Sequence, residues 1–227
     1  PLLVTADDLL LMGDYTSNQG RVHQYKGSTN TRATNVLNLP YNMEPVGMVE
    51  EENGFDTVVF ATTARGTNRR GLARAFWWSV DRPASWYKSS PIPDDECAAP
   101  FAAFGTVGCF TRSRTSTGSG SSRLSCLRLY LDGVWKPVFH WSGTLPAVGG
   151  VDIQDNTVIW NSDGVRYRWG EKWGKYPAAT FQETTASGTT SGILKSLSNT
   201  TTVSKLYMSS GTGASGLERF QNFNTGF

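Results

Sequence analysis

Short strand-like segments bounded by turn-forming residues run through almost the whole chain, and this pattern constrains the fold most strongly. Each segment ends at Gly, Pro, Asn, Asp or Ser. Almost none shows the 3.6-residue period of an amphipathic helix. We therefore predict an all-β fold of short antiparallel strands. The predicted strands are residues 9–15, 21–26, 46–50, 57–62, 72–79, 101–111, 123–131, 134–141, 157–161, 165–169, 193–197 and 203–208.

Two Asp-Gly dipeptides predict hairpins between neighbouring segments. Asp132 and Gly133 separate residues 123–131 from residues 134–141. Asp163 and Gly164 separate residues 157–161 from residues 165–169 in the same way. Asp and Gly tolerate positive φ at both corner positions of a two-residue turn. A further turn is predicted at residues 170–172.

Length and composition bound the class of protein. The 227 residues suit one domain over residues 1–227, and the net charge of +2 lacks the basic excess of a nucleic-acid binder. No apolar stretch approaches the length of a membrane span, so no membrane insertion is expected. Three cysteines form no disulfide framework. We expect buried free thiols, with a bridge between Cys109 and Cys126 left open.

Two long polar loops and one acidic connector stand out. Residues 63–71 contain Arg65 and Arg69, and residues 112–122 begin at Arg112. Neither loop can contribute to a core, so both are expected to be exposed. Residues 91–96 combine two prolines with three carboxylates, which predicts a solvated, rigid connector crossing between sheets.

No set of residues predicts an active site. The two histidines, His23 and His140, have no ligand spacing for a metal, and His140 lies in an alternating strand where a packed or surface role is expected. No nucleophile elbow and no phosphate- or dinucleotide-binding fingerprint is present. We predict no enzyme activity, no catalytic residue, no metal and no cofactor.

Aromatic and cationic residues give better candidates for binding. Residues 168–177 bring together Trp169, Trp173 and Tyr176 with two lysines, a composition suited to a protein or glycan interface. The alternative is that Trp169 and Trp173 are core residues on a hairpin. Trp77 and Trp78 lie on opposite faces of one strand, so at least one should meet a second sheet or a subunit.

Several short motifs resemble those of a viral capsid family. They are residues 2–11 followed by 13–15, then 131–133, 156–160, 174–177 and 184–187. Their order and approximate spacing are similar to the protruding domain of the hepatitis E virus capsid protein, which is structurally related to astrovirus capsid spikes. Residues 44–124 match poorly. The extra Arg-rich loops and the different aromatic positions favour an astrovirus spike.

The resemblance implies a twisted β-barrel or β-sandwich with long polar loops, excised or processed from a longer capsid precursor. It implies a homodimeric spike on the virion surface, made in the host cytoplasm, that attaches to a host-cell receptor (protein or glycan) and binds neutralising antibodies. By the same resemblance the dimer interface would contain Tyr176, Phe181 and Gln182. The residues expected to bind the receptor are Arg65, Arg69, Arg112, Lys172, Trp173 and Lys175.

Two alternatives belong to other classes. Residues 79–86 approximate the Asp-box turn of β-propellers, and Trp86, Trp135 and Trp173 recur at uneven intervals. A five-bladed propeller would suit a lectin or a phage tail component. An all-β glycan-active enzyme is the third possibility, and it would require a pair of carboxylates at a defined separation.

Overall fold

The computed structural model describes most of the chain, with gaps between its segments. The described residues are 1–7, 9–52, 56–64, 71–79, 85–112, 124–146, 151–154, 157–162, 165–172, 176–184, 190–196, 205–210 and 217–220. Within them the secondary structure consists of strands and one short 3-10 turn, Gly27–Thr29. No helix there is long and apolar enough to cross a membrane.

Nineteen strands are formed by the described residues. They are β1 (Leu2–Val4), β2 (Leu9–Thr16), β3 (Gln19–Lys26), β4 (Thr31–Tyr41), β5 (Met43–Glu50), β6 (Thr57–Thr63), β7 (Arg74–Trp78), β8 (Lys88–Pro91), β9 (Glu96–Ala103), β10 (Thr106–Arg112), β11 (Leu124–Leu131), β12 (Val134–Ser142), β13 (Val151–Gln154), β14 (Thr157–Ser162), β15 (Val165–Lys172), β16 (Tyr176–Thr184), β17 (Thr190–Ser196), β18 (Lys205–Ser210) and β19 (Leu217–Phe220).

The strands form five sheets, and each sheet uses strands that are consecutive in the chain. The first sheet is β1–β4, the second β5–β8, the third β9–β12, the fourth β13–β16 and the fifth β17–β19. Every described pairing is antiparallel, so each sheet is a meander of hairpins. Two compact units contain them: Pro1–Ser142 holds the first three sheets, and Gly143–Phe227 holds the last two.

The two inner strands of the second sheet, β6 and β7, are buried on both faces. All seven residues of β6 are buried, as are the last four of β7. Val59 and Trp78 pack with residues of the first sheet, whereas Val58 and Trp77 pack with residues of the third. Because successive side chains of a strand point to opposite faces, one strand supplies two cores. The prediction that Trp77 or Trp78 meets a second sheet is confirmed for both.

The all-β, antiparallel prediction is confirmed, whereas the barrel implied by the resemblance does not appear among the described strands. No described pairing joins one sheet to the next. In the unit Pro1–Ser142 three sheets pack through two cores, and a two-layer sandwich has only one. The prediction of a single domain over residues 1–227 stays a prediction.

Most predicted strands are confirmed, and one is wrong. Residues 101–111 form two strands, because Phe104 and Gly105 make a tight turn with φ of 60° and 69°. A phenylalanine at positive φ is a poor turn signal, which hid this hairpin. β4 was missed since its first five residues are exposed and four of them are polar. The hairpin at Asp132 and Gly133 is confirmed, with positive φ at both residues, and residues 163 and 164 lie outside the described part.

The connector at residues 91–96 crosses from the second sheet to the third, as predicted, but it is not simply solvated. Ile92 is fully buried, and its amide donates to the carbonyl of Ala73 at 2.7 Å. The Ala73 amide donates to the Asp94 carbonyl, also at 2.7 Å. These two backbone hydrogen bonds fix the connector at Ile92 and at Asp94.

We predict that Gly47→Ala lowers the free energy of unfolding by about 1–3 kcal/mol, the usual range for overpacking a core. A Cβ on Gly47 of β5 would overlap the Pro100 ring of β9, where the second and third sheets touch. The measurement is urea unfolding. Gly27→Ala is the matched control, since the nearest atom to its added Cβ is 4.0 Å away. Equal unfolding midpoints for the two variants would contradict this contact.

Candidate functional site

A run of three carboxylates, Glu50–Glu52, joins the ends of the first three sheets; we call it the acidic turn. Glu50 accepts a hydrogen bond from the Ala6 amide at 2.8 Å, between β1 and β2. Glu52 accepts one from the Gly105 amide at 2.7 Å, in the β9–β10 turn. Glu51 accepts one from the Trp77 indole of β7 at 2.6 Å. One acidic tripeptide therefore holds three sheets at the same end.

Two cross-strand pairs meet beside the acidic turn, where the second and third sheets pack together. Trp77 and Lys88 are directly opposite each other in the β7–β8 ladder. Tyr130 and Trp135 are opposite each other in the β11–β12 ladder, two positions from the Asp-Gly turn. Side chains of opposed residues lie on one face at close range, so each ladder presents a matched pair. We call Trp77, Lys88, Tyr130 and Trp135 the aromatic site.

The rings of the aromatic site are in mutual contact. The Trp77 and Tyr130 centroids are 4.8 Å apart, and those of Tyr130 and Trp135 are 5.1 Å apart. The Lys88 ammonium lies 4.1 Å from the Trp77 centroid and 4.5 Å from the Tyr130 centroid. Both distances fall within the range of a cation–π interaction. Trp77 and Trp135 are buried, Tyr130 is half-buried and Lys88 is exposed.

Tyr87 extends this surface toward another carboxylate. Its amide donates to the Trp77 carbonyl at 3.1 Å, and its hydroxyl hydrogen-bonds to Asp56. Burial of the hydroxyl, then this hydrogen bond, then the negative charges of Asp56 and Glu51 raise the pKa of Tyr87. Tyr87 therefore stays a neutral hydrogen-bonding phenol throughout the physiological pH range. Chemically, the region offers a ligand the half-buried Tyr130 ring, the Tyr87 phenol and negative charge, while Lys88 lies over the buried Trp77 ring.

A second polar cluster lies at the opposite end of the third sheet, and its side chains form ion pairs and hydrogen bonds with one another. The Asp94 carboxylate binds the Arg128 guanidinium at 3.0 Å and accepts a hydrogen bond from the Thr111 hydroxyl at 2.5 Å. Both charged side chains are only 12% exposed. Glu96 pairs with Arg112 at 3.3 Å. The prediction that these carboxylates are merely solvated is therefore wrong for Asp94 and Glu96.

The residues predicted to bind a receptor are only partly described. Arg112 ends β10 and is paired with Glu96, and Lys172 ends β15. The positions that lie outside the described residues are Arg65, Arg69, Trp173 and Lys175. Arg112 belongs to the unit Pro1–Ser142 and Lys172 to the unit Gly143–Phe227, and the receptor-binding role of the set stays a prediction.

The predicted dimer residues all lie in β16. Tyr176 pairs with Lys172, Phe181 with Arg168 and Gln182 with Tyr167 in the β15–β16 ladder. Residues 170–172 continue β15, so the turn predicted there is wrong. Trp169 is 7% exposed, which decides for the core alternative at that position. The interface role of the β16 residues stays a prediction.

The two histidines differ: His23 has polar contacts through its ring, and His140 is exposed on a strand. His23 Nε2 lies 3.3 Å from an Asp14 carboxylate oxygen, and its Nδ1 accepts a hydrogen bond from the Asn35 amide at 3.2 Å. Both ring nitrogens are thus occupied. His140 is an exposed strand residue, as expected. Within the described residues no group of three or more His, Cys, Asp or Glu side chains could hold a metal ion.

The aromatic site was not predicted from the sequence, although the pairing of Tyr130 with Trp135 could have been inferred from it. The Asp132–Gly133 turn fixes the register that makes Tyr130 face Trp135. The other pair joins Trp77 to Lys88 across eleven positions of sequence without a recognisable two-residue turn, so no local signal gave its register. The acidic turn was not predicted, because its three hydrogen-bond partners come from three different sheets.

Comparisons with known proteins give distant structural similarities alone. No family model matches the chain, and no curated protein matches it. Similar solved structures include the β-propeller domain of the Trilobed protease from Pyrococcus furiosus, which has an open velcro topology. It is 8% identical with a TM-score of 0.48, over 99% of this chain and 81% of that one.

Two lyases are similar at the same level. An oligogalacturonate lyase in complex with manganese is 10% identical with a TM-score of 0.49, over 91% of this chain and 60% of that chain. The polysaccharide lyase Uly1 is 9% identical with a TM-score of 0.48, over 91% and 53%. This chain therefore spans little more than half the length of either lyase. Similarities of this size assign neither a family nor an activity.

We predict that the three thiols resist labelling in the native protein. Cys97, Cys109 and Cys126 are free and buried. Burial raises the pKa of Cys97 to about 12 and that of Cys126 to about 11, and it raises the pKa of Cys109 well above its usual value. Because the thiolate is the reactive form, labelling by an aromatic disulfide at pH 8 should be slow and become complete only in denaturant. A thiol that reacts in the native protein as fast as free cysteine would contradict this result.

Proposed function

We propose that this chain is a non-catalytic recognition domain, built as a five-bladed β-propeller, that binds its partner through the aromatic site and Tyr87. The fold part is supported by the order of the strands. Propeller blades are four-stranded antiparallel sheets repeated along the chain. Four of the five sheets here have that composition.

The repeat length also supports this fold. The five sheets begin at residues 2, 43, 96, 151 and 190. Blade repeats are about 40–50 residues long, and insertions lengthen the loops between strands. The Asp-box resemblance at residues 79–86 lies mainly outside the described residues and adds nothing to this support.

The observation that carries the recognition part is the arrangement of Lys88 over Trp77 and Tyr130. Aromatic side chains near a surface supply large contact area with little loss of conformational entropy. Here they are held by two hairpins and backed by a packed core. A half-buried ring supported by two buried tryptophans suits binding, since little ordering is needed when a ligand arrives.

The attachment-spike function stays a prediction, together with its homodimer, host-cell receptor, antibodies, virion location and cytoplasmic synthesis. Oligomeric state separates it from the propeller. The propeller proposal expects a monomer near 24.8 kDa by light scattering. A two-fold dimer with an isologous interface would favour the spike.

We predict that Tyr130→Leu weakens binding of the partner about five- to thirtyfold, because a central aromatic contact contributes on the order of 1–2 kcal/mol. The purified chain would first be screened on glycan and peptide arrays. Affinity of the bound species would then be measured for wild type and variant, with circular dichroism to confirm folding. Tyr41→Ala is the control, because Tyr41 is an exposed tyrosine beyond the opposite end of β5.

Three results would contradict this proposal. One is the absence of any binder on either array. Another is unchanged affinity in folded Tyr130→Leu. The third is turnover of the bound species by the purified chain, which would favour the glycan-active enzyme instead.

A further inference from the structure

We infer that the aromatic site is an alkylammonium-binding site, that Lys88 is its resident occupant, and that a lysine side chain of a partner protein replaces Lys88 there. The inference rests on the proposed function and deepens it by naming the chemical group recognised. It follows from four features of the site: the ring geometry, the rigidity of the rings, the weak hold on Lys88 and the local charge.

The ring geometry already accommodates an ammonium group. The planes of Trp77 and Tyr130 are inclined at 45°, with centroids 4.8 Å apart. The Lys88 Nζ lies 4.1 Å and 4.5 Å from these two centroids. A cation held by two π faces is attracted by both ring quadrupoles. The structure thus contains an intramolecular example of the proposed complex.

The rings are held in place before any ligand binds. Trp77 is only 1% exposed, and its indole N–H donates to Glu51 at 2.6 Å. A hydrogen bond to an anionic acceptor shifts electron density into the indole, which strengthens attraction for a cation at its face. Trp135 packs against Tyr130 at 5.1 Å and edge-to-face against Phe60 at 5.8 Å. Binding therefore needs no rearrangement of the aromatic groups.

The resident lysine is weakly held. Lys88 begins β8, the outermost strand of the second sheet, and its side chain is exposed. Among the described residues its ammonium has cation–π contacts and no salt bridge to a carboxylate. An exposed cation–π contact changes an equilibrium constant by only about two- to fivefold. Lys88 can therefore leave at small cost.

The surrounding charge selects a cation. Glu51 lies against the indole of the site, and Asp56 lies next to Tyr87. Glu50 and Glu52 add two more carboxylates in the acidic turn. The nearby Lys136 is paired with Asp132 at 2.5 Å, so it contributes little net charge. An anionic sugar or phosphate would meet this field unfavourably, whereas a lysine side chain would be attracted.

The test uses Lys88→Ala and three small probes on the full chain. The probes are N-acetyl-lysine methylamide, its trimethylated form and N-acetyl-norleucine methylamide, which lacks the ammonium. Binding is followed by the NMR signal of the Trp77 indole N–H. Lys136→Ala is the matched control, since Lys136 is also exposed at this end of the unit.

We expect both cationic probes to bind Lys88→Ala about two- to fivefold more tightly than wild type, because the competing ammonium is gone. Lys136→Ala should bind them with wild-type affinity. Norleucine should produce no saturable shift. Adding Tyr130→Leu to Lys88→Ala should abolish binding of the cationic probes, with the fold checked by circular dichroism.

The inference would be overturned if norleucine bound as well as lysine, if Lys88→Ala gave no gain, or if neither cationic probe bound. These failures are distinguishable from failure of the proposed function. An array ligand that needs Tyr130 while no lysine probe binds leaves the recognition domain standing without this ligand class. Lysine probes that bind while both arrays stay blank leave the alkylammonium site standing without the recognition function.

Discussion

The alternation of side chains along β6 and β7 is the constraint on which the unit Pro1–Ser142 depends. Val59 and Trp78 enter the core shared with the first sheet, and Val58 and Trp77 enter the core shared with the third. Full burial of each large apolar side chain contributes about 1.5–3 kcal/mol. Since both cores draw on the same two strands, loss of β6 or β7 would remove them together.

The aromatic site, the proposed recognition site, is built from the same alternation. Trp77 faces the third sheet because it is one residue before Trp78, and there it meets Tyr130 and the ammonium of Lys88. The acidic turn then fixes the ends of the sheets around the site, with Glu51 bonded to the Trp77 indole itself. The aromatic site is thus continuous with the core, and a site of this kind has the rigidity that the proposed recognition would require.

How much the sequence predicts depends on how local the determining interaction is. The Asp132–Gly133 turn and the apolar run of β6 are set by neighbouring residues, and they were predictable. The turn at Phe104, the partners of the acidic turn and the Asp94–Arg128 pair are set by residues from other strands or sheets. Short matched motifs implied a barrel because they reported individual strands and turns, and carried no information on which sheets pack together.

Native-state hydrogen exchange of β6 compared with β8 measures the role of the second sheet directly. The β6 amides should exchange only by global unfolding, with an opening free energy equal to that obtained from denaturant unfolding. The amides of β8, the outermost strand, should open at lower free energy. If β6 exchanged as readily as β8, its two faces would not be holding two cores together, and the central role of the second sheet would be contradicted.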